Sequence, residues 1–243
     1  MTEIYLAENH LLLETGYGNP QMHSHYACHI LVGLHGNMRV ITDTENTVCR
    51  GALLPSGMAH TVDSFGKPLL VFLLDTTSTA AEQIQSFTLL DEQIAEEIAG
   101  LYQKLAVIEP EKNYGDFLAK VMDLAGIHGG GSRITDERII QAVRFVEKHL
   151  RGNVTAKQTA GEVFLSESRF SHLFREQTGI AFSSYLVFRK LFCAYMQIAE
   201  GASITEASLA AGFSTPSHFA TVNKKMFGIT ATDLSEEYHL HKI

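Results

Sequence analysis

Apolar and polar positions change their period along the chain. Between residues 4 and 75, Ile4–Leu6, Leu11–Glu14, His29–Leu34, Met38–Thr42, Thr47–Cys49 and Leu69–Leu74 are short β-rich runs. Gly16, Gly18-Asn19-Pro20, Gly36-Asn37, Pro55-Ser56-Gly57 and Gly66 punctuate them. Many short strands at this spacing predict a small barrel or sandwich. From about residue 80 to 125 the period becomes helical. Ala81–Phe87 reads as a short segment, Asp91–Leu105 repeats Ile94, Ile98, Leu101 and Leu105, and Tyr114–Leu124 repeats Phe117, Leu118, Val121 and Leu124. Such a pair either dimerises or packs against its own barrel. Gly129–Gly131 then reads as a flexible joint between domains, or as a loop inside one.

Helical period resumes at Asp136. Ile139, Ile140, Val143, Val146 and Leu150 form one face, which Gly152-Asn153 stops. Thr155–Phe164 is a short helical pattern, and Leu165-Ser166 makes a tight joint. Between Leu165 and Gly179, Phe170, Leu173 and Phe174 form an inner face. Ser168, Ser171, His172 and Arg175 lie opposite, with Arg169 among them. Ser166 is the candidate N-cap, and Gly179 ends the helix. A short, donor-rich face without a central carboxylate can approach base edges and phosphates, so the segment reads as the second helix of a helix-turn-helix. Alone it would equally suit a surface helix; a second copy decides between the two. Phe182–Glu200 is a long linking helix, about 25 Å, with Cys193 as inert packing. Beyond it, Ser208 and Gly212 are spaced as the small residue and turn glycine of another helix-turn-helix. There Phe219, Val222 and Met226 face inward, while Ser217, Thr221 and Lys224 face out beside Lys225. Two units on such a rod suit successive major grooves, about 34 Å apart.

Composition adjusts this picture. Hydrophobic residues make up 45%, and no apolar run reaches the roughly 18 residues of a membrane span. The N-terminal stretch lacks the basic and apolar regions of a signal peptide. Three cysteines, Cys28, Cys49 and Cys193, suit a reducing cytoplasm. The net charge of −8 argues against nucleic acid if taken globally. However, residues 1–132 hold 6 Lys+Arg against 16 Asp+Glu, whereas residues 133–243 hold 13 against 11. An acidic sensing half and a mildly basic DNA half fit that asymmetry. A net of +2 is small, so phosphate contacts must be placed locally.

The strand-rich region contains His23-Ser-His25 and His29, then Gly51, Pro55, Gly57 and His60. This resembles the two motifs of the cupin barrel, with His29 standing where that family usually has Glu. The resemblance implies a divalent metal (zinc, iron, copper, nickel or manganese) on His23, His25, His29 and His60. Imidazoles suit such metals, and two histidines one residue apart on a strand share a face. The alternative is a ligand pocket walled by the same histidines. Cys28 and Cys49 read as structural, His35 as a loop residue, and Glu45 and Asp63 as solvated.

With the paired helix-turn-helix units, LSESRFSHLFREQTGI and ITEASLAAGFSTPSHFATVNKKMFGITATDL, residues 136–238 resemble the DNA-binding domain of the AraC/XylS family of bacterial transcription regulators. The resemblance implies an α+β chain. It would comprise a cupin-like β-barrel sensor over 1–79, a helical dimerisation segment over 80–126, a linker over 127–135, and an all-α DNA-binding domain over 136–243. It implies a cytoplasmic, homodimeric regulator of double-stranded promoter DNA, controlled by a small molecule or metal and touching RNA polymerase. It places Ser168, Ser171 and His172, and in the second unit Pro216, Ser217 and Thr221, at base-contacting positions. Arg169, Arg175, Lys224 and Lys225 complete the expected DNA face. The family often has Arg where Thr221 stands and Phe where Asn223 stands. Thr cannot form the bidentate contact to guanine, so direct readout is expected mainly from the first unit, with phosphate and shape readout from the second. The rival reading is a metal-dependent cupin enzyme, a dioxygenase or isomerase, fused to a DNA-binding tail. No further acid–base constellation stands out, and the expectation is a non-enzyme.

Overall fold

The structure, a computed structural model, describes residues 2–7, 10–16, 21–105, 110–128, 134–150, 152, 154–227 and 238–243. The expected turn Gly18-Asn19-Pro20, the joint Gly129–Gly131, the stop at Asn153 and Gly228 lie outside these residues. The chain divides into two compact units. One contains Met1–Gly131 and Lys225–Ile243, the other Ser132–Lys224.

The first unit is built on β1 (Thr2–Ala7), β2 (His10–Thr15), β3 (Cys28–Gly33), β4 (Met38–Thr42), β5 (Asn46–Cys49), β6 (Gly51–Leu54), β7 (His60–Asp63), β8 (Leu69–Leu74), β9 (Thr88–Leu89) and β10 (Tyr238–Lys242). Its helices are α1 (Thr79–Gln83), α2 (Glu92–Leu105) and α3 (Pro110–Leu124). Among the described residues the strands form two sheets, in the orders β10-β1-β2-β8-β3-β6-β9 and β5-β4-β7, rather than one closed barrel. β8 is apolar throughout and β3 is apolar except for His29, and both are buried at every position, as central strands covered on both faces must be. The first sheet shares one core with α2 and α3, through Leu12, Ile30 and Phe72 from the strands and Ile98, Tyr102, Phe117 and Val121 from the helices. Gly51 permits that approach, because a Cβ there would lie 3.0–3.1 Å from Leu90 and Ala95. The helix pair packs one face against the first sheet.

The second unit is helical: α4 (Glu137–His149), α5 (Ala156–Glu162), α6 (Glu167–Thr178), α7 (Phe182–Ala199), α8 (Ile204–Ala210) and α9 (Pro216–Phe227), the last running across the unit boundary. Capping chemistry sets the helix starts. Asp136 accepts from the Arg138 amide, Thr155 forms a capping box with Gln158, Ser166 accepts from the Arg169 amide, and Ser203 forms a capping box with Glu206. Gly179 ends α6 in the left-handed conformation, φ 78°. No described helix is long and apolar enough to cross a membrane.

Three expectations need adjustment. β6, β7, β9 and β10 had no clear sequence signal, and α1 stops at Gln83 rather than at Phe87. His23 and His25 do not share a regular strand, since His23 makes a single bridge to His60. The region expected to be all helix after residue 136 ends in β10, which pairs parallel with β1 and belongs to the first unit.

Candidate functional site

In the second unit, α5–α6 and α8–α9 are two helix-turn-helix pairs. Aromatic packing holds α6: Phe170 and Phe174 meet Phe182 edge-on at 4.8 and 5.0 Å, and Phe174 lies 5.3 Å from Tyr185. With that face buried, Ser168, Arg169, Ser171, His172 and Arg175 are all exposed. In α9, Phe219 and Met226 are buried, Pro216 and Val222 half-buried, and Ser217, Thr221, Lys224 and Lys225 exposed. The Thr221 hydroxyl donates to its own helix at Ser217 O, 2.9 Å away. Asn223 is fully buried, and the Tyr195 hydroxyl of α7 donates to its Oδ1. The polar residue on the inner face therefore has a specific partner on the linking helix. The turn glycine Gly212 sits at φ 83° and its carbonyl accepts from Lys190 Nζ at 3.0 Å. The corresponding left-handed position of the first unit is Phe164, φ 56° and 95% exposed. An aromatic residue there costs energy that glycine would not.

In the first unit the four candidate histidines come together. Ring centroids are 4.5 Å apart for His23 and His60, 4.6 Å for His25 and His29, and 4.7 Å for His29 and His60. His23, His25 and His60 each offer a nitrogen within 4.8 Å of the others. His29 joins the cluster through ring contacts and is not part of that group. The carbonyls of Gln21 and Met58 accept from Nδ1 of His23 and His60, each at 2.9 Å. Nε2 is thereby left as the lone-pair nitrogen of both, the arrangement that a carbonyl bonded to the far ring nitrogen imposes on a metal-ligating imidazole. Among the described residues neither ring nitrogen of His25 has a hydrogen-bond partner, nor does Nδ1 of His29, although both rings are buried. Burial holds all four below the usual histidine range: His60 falls to about 4, and His25 and His29 lie well below 6.5, with their neighbours lowering them further. Four neutral imidazoles, two with unbonded nitrogens, fit a soft or borderline divalent cation. Gly57 makes the turn before His60 at φ 78°, and Cys28 and Cys49 are buried cysteines, Cys28 with its thiol 3.8 Å from the Ala81 carbonyl. His35 and Glu45 are exposed, and an Asp63 carboxylate oxygen accepts from the Phe65 amide.

A polar cluster that the sequence did not disclose lies where α2 and α3 meet the first sheet. His10 Nε2 is 2.8 Å from the Tyr114 hydroxyl, and the Tyr102 hydroxyl donates to Glu14 at 2.8 Å. Tyr5 stacks on Tyr114 at 5.3 Å. His10 and Tyr5 stand in strands whose alternation gave no hint of helix contacts.

Residues 159–237 match the family model described as a helix-turn-helix domain. Among curated proteins, the probable transcriptional regulator LumQ of Photobacterium leiognathi is 28% identical over 89 residues, 36% of each chain. The regulatory protein PocR of Salmonella typhimurium is 27% identical over 96 residues, 39% of this chain and 32% of its own. The chain thus spans about a third of the length of the curated relatives it matches. Among solved structures, apo ToxT of Vibrio cholerae superposes with a TM-score of 0.61 at 12% identity, covering 95% of this chain and 98% of its own. Unsaturated fatty acid-bound ToxT gives 0.57 at 13%, covering 94% and 95%. These identities speak for a shared fold of sheet-rich and helical parts, and for nothing finer.

Proposed function

We propose that this chain, which carries a DNA-binding domain of the AraC type, is a sequence-specific transcription regulator controlled by an effector in its sheet-rich unit. The observation that carries the reading is the pair of helix-turn-helix units, each with a buried apolar face and an exposed polar one. Ser168, Ser171 and His172 read bases, and Arg169 and Arg175 hold phosphates. In the second unit Pro216, Ser217 and Thr221 line the groove, with Lys224 and Lys225 on the backbone. Thr221 already spends its hydroxyl on Ser217, so the first unit carries most direct readout. Promoter DNA, a second copy of the chain, RNA polymerase and a cytoplasmic setting complete the proposal. The dimer and the polymerase rest on the family resemblance. The test is selection of duplexes from a random pool by the wild-type chain and by a Ser171→Ala/His172→Ala variant. A shared motif that weakens in the variant supports the proposal; a wild-type chain that enriches nothing refutes it.

Two effectors compete. ToxT has been crystallised with an unsaturated fatty acid, which makes an organic effector one reading. The unbonded nitrogens of His25 favour a divalent metal on His23, His25 and His60, with His29 beside them. A bound metal would act here by joining the segment before β3 to β7; no enzymatic step is assigned to it. Elemental analysis of protein purified without tags or chelators separates the two. Stoichiometric metal, lost in His25→Ala, supports metal control; none in either protein supports the organic effector.

A further inference from the structure

β10 ends the described chain on the sheet-rich unit, after the last helix of the reading heads. It pairs with β1 in parallel register from Thr2↔Tyr238 to Leu6↔Lys242, and the Ile243 amide adds a bond to Leu6 O. Its attachments on one face are polar. The Glu3 carboxylate meets His239 Nδ1 at 3.1 Å and His241 Nε2 at 2.8 Å, and His241 Nδ1 lies 3.4 Å from Glu111 of α3. The His241 ring stacks on Tyr5 at 4.6 Å. Tyr5 in turn stacks on Tyr114 and meets Tyr102 edge-on at 6.1 Å. β10 therefore rests on the same side chains that seat α2 and α3 on the sheet. It is also an easily released strand. Parallel pairing is the weaker kind, β10 lies at the edge of its sheet among the described residues, and the His239 side chain is 61% exposed.

We propose that β10 is a releasable latch that ties the chain beyond the second reading helix to the sensor sheet. A shift of α2 or α3 on that sheet moves Tyr5 and Tyr114, and the docking of β10 reports it to the DNA-binding unit. That unit is joined to the first by the chain at both its ends. The inference rests on the DNA-reading function above. The competing role is a static one, in which the strand only covers the β1 edge against pairing with other chains.

One variant tests it in two states. Glu3→Cys with His239→Cys replaces a cross-strand pair in register, so oxidation locks β10 and reduction leaves it without the Glu3 anchor. Hydrogen exchange of β1 and affinity for a duplex selected by the wild-type chain are read in both states of the whole 243-residue chain. The latch requires that exchange of β1 rise at least tenfold on reduction and that DNA affinity change at least fivefold, both reversing on oxidation. Faster exchange with affinity unchanged within twofold makes β10 a static edge cover and overturns the latch. Exchange that stays slow after reduction overturns release itself. A wild-type chain that selects no duplex fails the function beneath the latch, whereas a chain that binds DNA but ignores the lock fails the latch alone.

Discussion

Acid should loosen the sheet-rich unit through His10, and the size of the effect follows from its burial. His10 opens β2, is 4% exposed, and its Nε2 is 2.8 Å from the Tyr114 hydroxyl. Burial pushes its pKa from 6.5 down to about 4. A depressed histidine means that below pH 6.5 the unfolded chain takes up a proton which the folded chain refuses. Its contribution to stability is therefore full above 6.5 and is lost as pH falls from there towards 4. Between pH 7.5 and 5 this single group should remove ~2 kcal/mol, and ~3 kcal/mol once pH passes 4. Other buried histidines act with the same sign, so the effect of His10 must be isolated as a difference. His10→Phe cannot titrate and leaves the Tyr114 hydroxyl without this partner, which costs ~1–3 kcal/mol at pH 7.5. Because the variant escapes the proton linkage, its deficit should shrink by ~2 kcal/mol at pH 5. Urea unfolding read by pulsed hydrogen exchange at β2 follows this unit alone; the chain has no tryptophan to report it by fluorescence. A gap between wild type and variant that stays constant from pH 7.5 to 5 would refute the reasoning, because His10 would then titrate alike in both states.

Three further outcomes are expected. Tyr195→Phe should destabilise the helical unit by ~0.5–1.5 kcal/mol, by removing the hydroxyl that donates to Asn223 Oδ1, while Tyr195→Phe with Asn223→Leu should recover most of the loss; additive losses in urea melts would contradict this. Phe164→Gly should stabilise the same unit by ~0.5–1 kcal/mol, since the ring is 95% exposed and its φ of 56° suits glycine; a lower melting temperature would mean that the ring is held by a contact. On a selected duplex, His172→Ala should relax preference at one base position by ~1–3 kcal/mol and Thr221→Ala by less than ~1 kcal/mol; equal effects would end the division of labour between the two heads.

The helical unit was legible because its signals are local. Ser166, Gly179 and Gly212 declare the ends and turns of helices by their own backbone chemistry, and Phe170, Leu173 and Phe174 declare an inner face by spacing. Asn223 was visible as a departure from the family pattern, but its partner, Tyr195, lies 28 residues away and no spacing rule joins them. In the sheet-rich unit the histidine motif pointed to a cluster, yet the manner of its assembly was hidden. His23 reaches His60 through one bridge, and which carbonyls hold their Nδ1 atoms depends on tertiary closure. β6 and β7 are four residues each, too short for alternation to speak, and β10 is a strand only because β1 lies beside it.

The state of the histidine cluster also bears on what an effector must look like. His23 and His60 spend their Nδ1 protons on backbone carbonyls, so each presents an acceptor, Nε2, to any ligand. Burial keeps these rings and those of His25 and His29 from taking on a proton. A carboxylate brought against Nε2 of His23 and His60 would face lone pairs with lone pairs, and relieving the clash would require protonating rings that burial holds neutral. A metal cation asks for the lone pairs as they stand, and it would satisfy His25, whose unbonded nitrogens cost ~1–3 kcal/mol in a buried site. A ligand of that kind binds the folded unit alone, so at a hundred times its dissociation constant it should stabilise that unit by ~2.7 kcal/mol. A thermal shift produced by zinc or nickel but not by a long-chain carboxylate, and lost in His25→Ala, is the expected signature. A shift with the carboxylate alone would place the organic ligand away from these four rings.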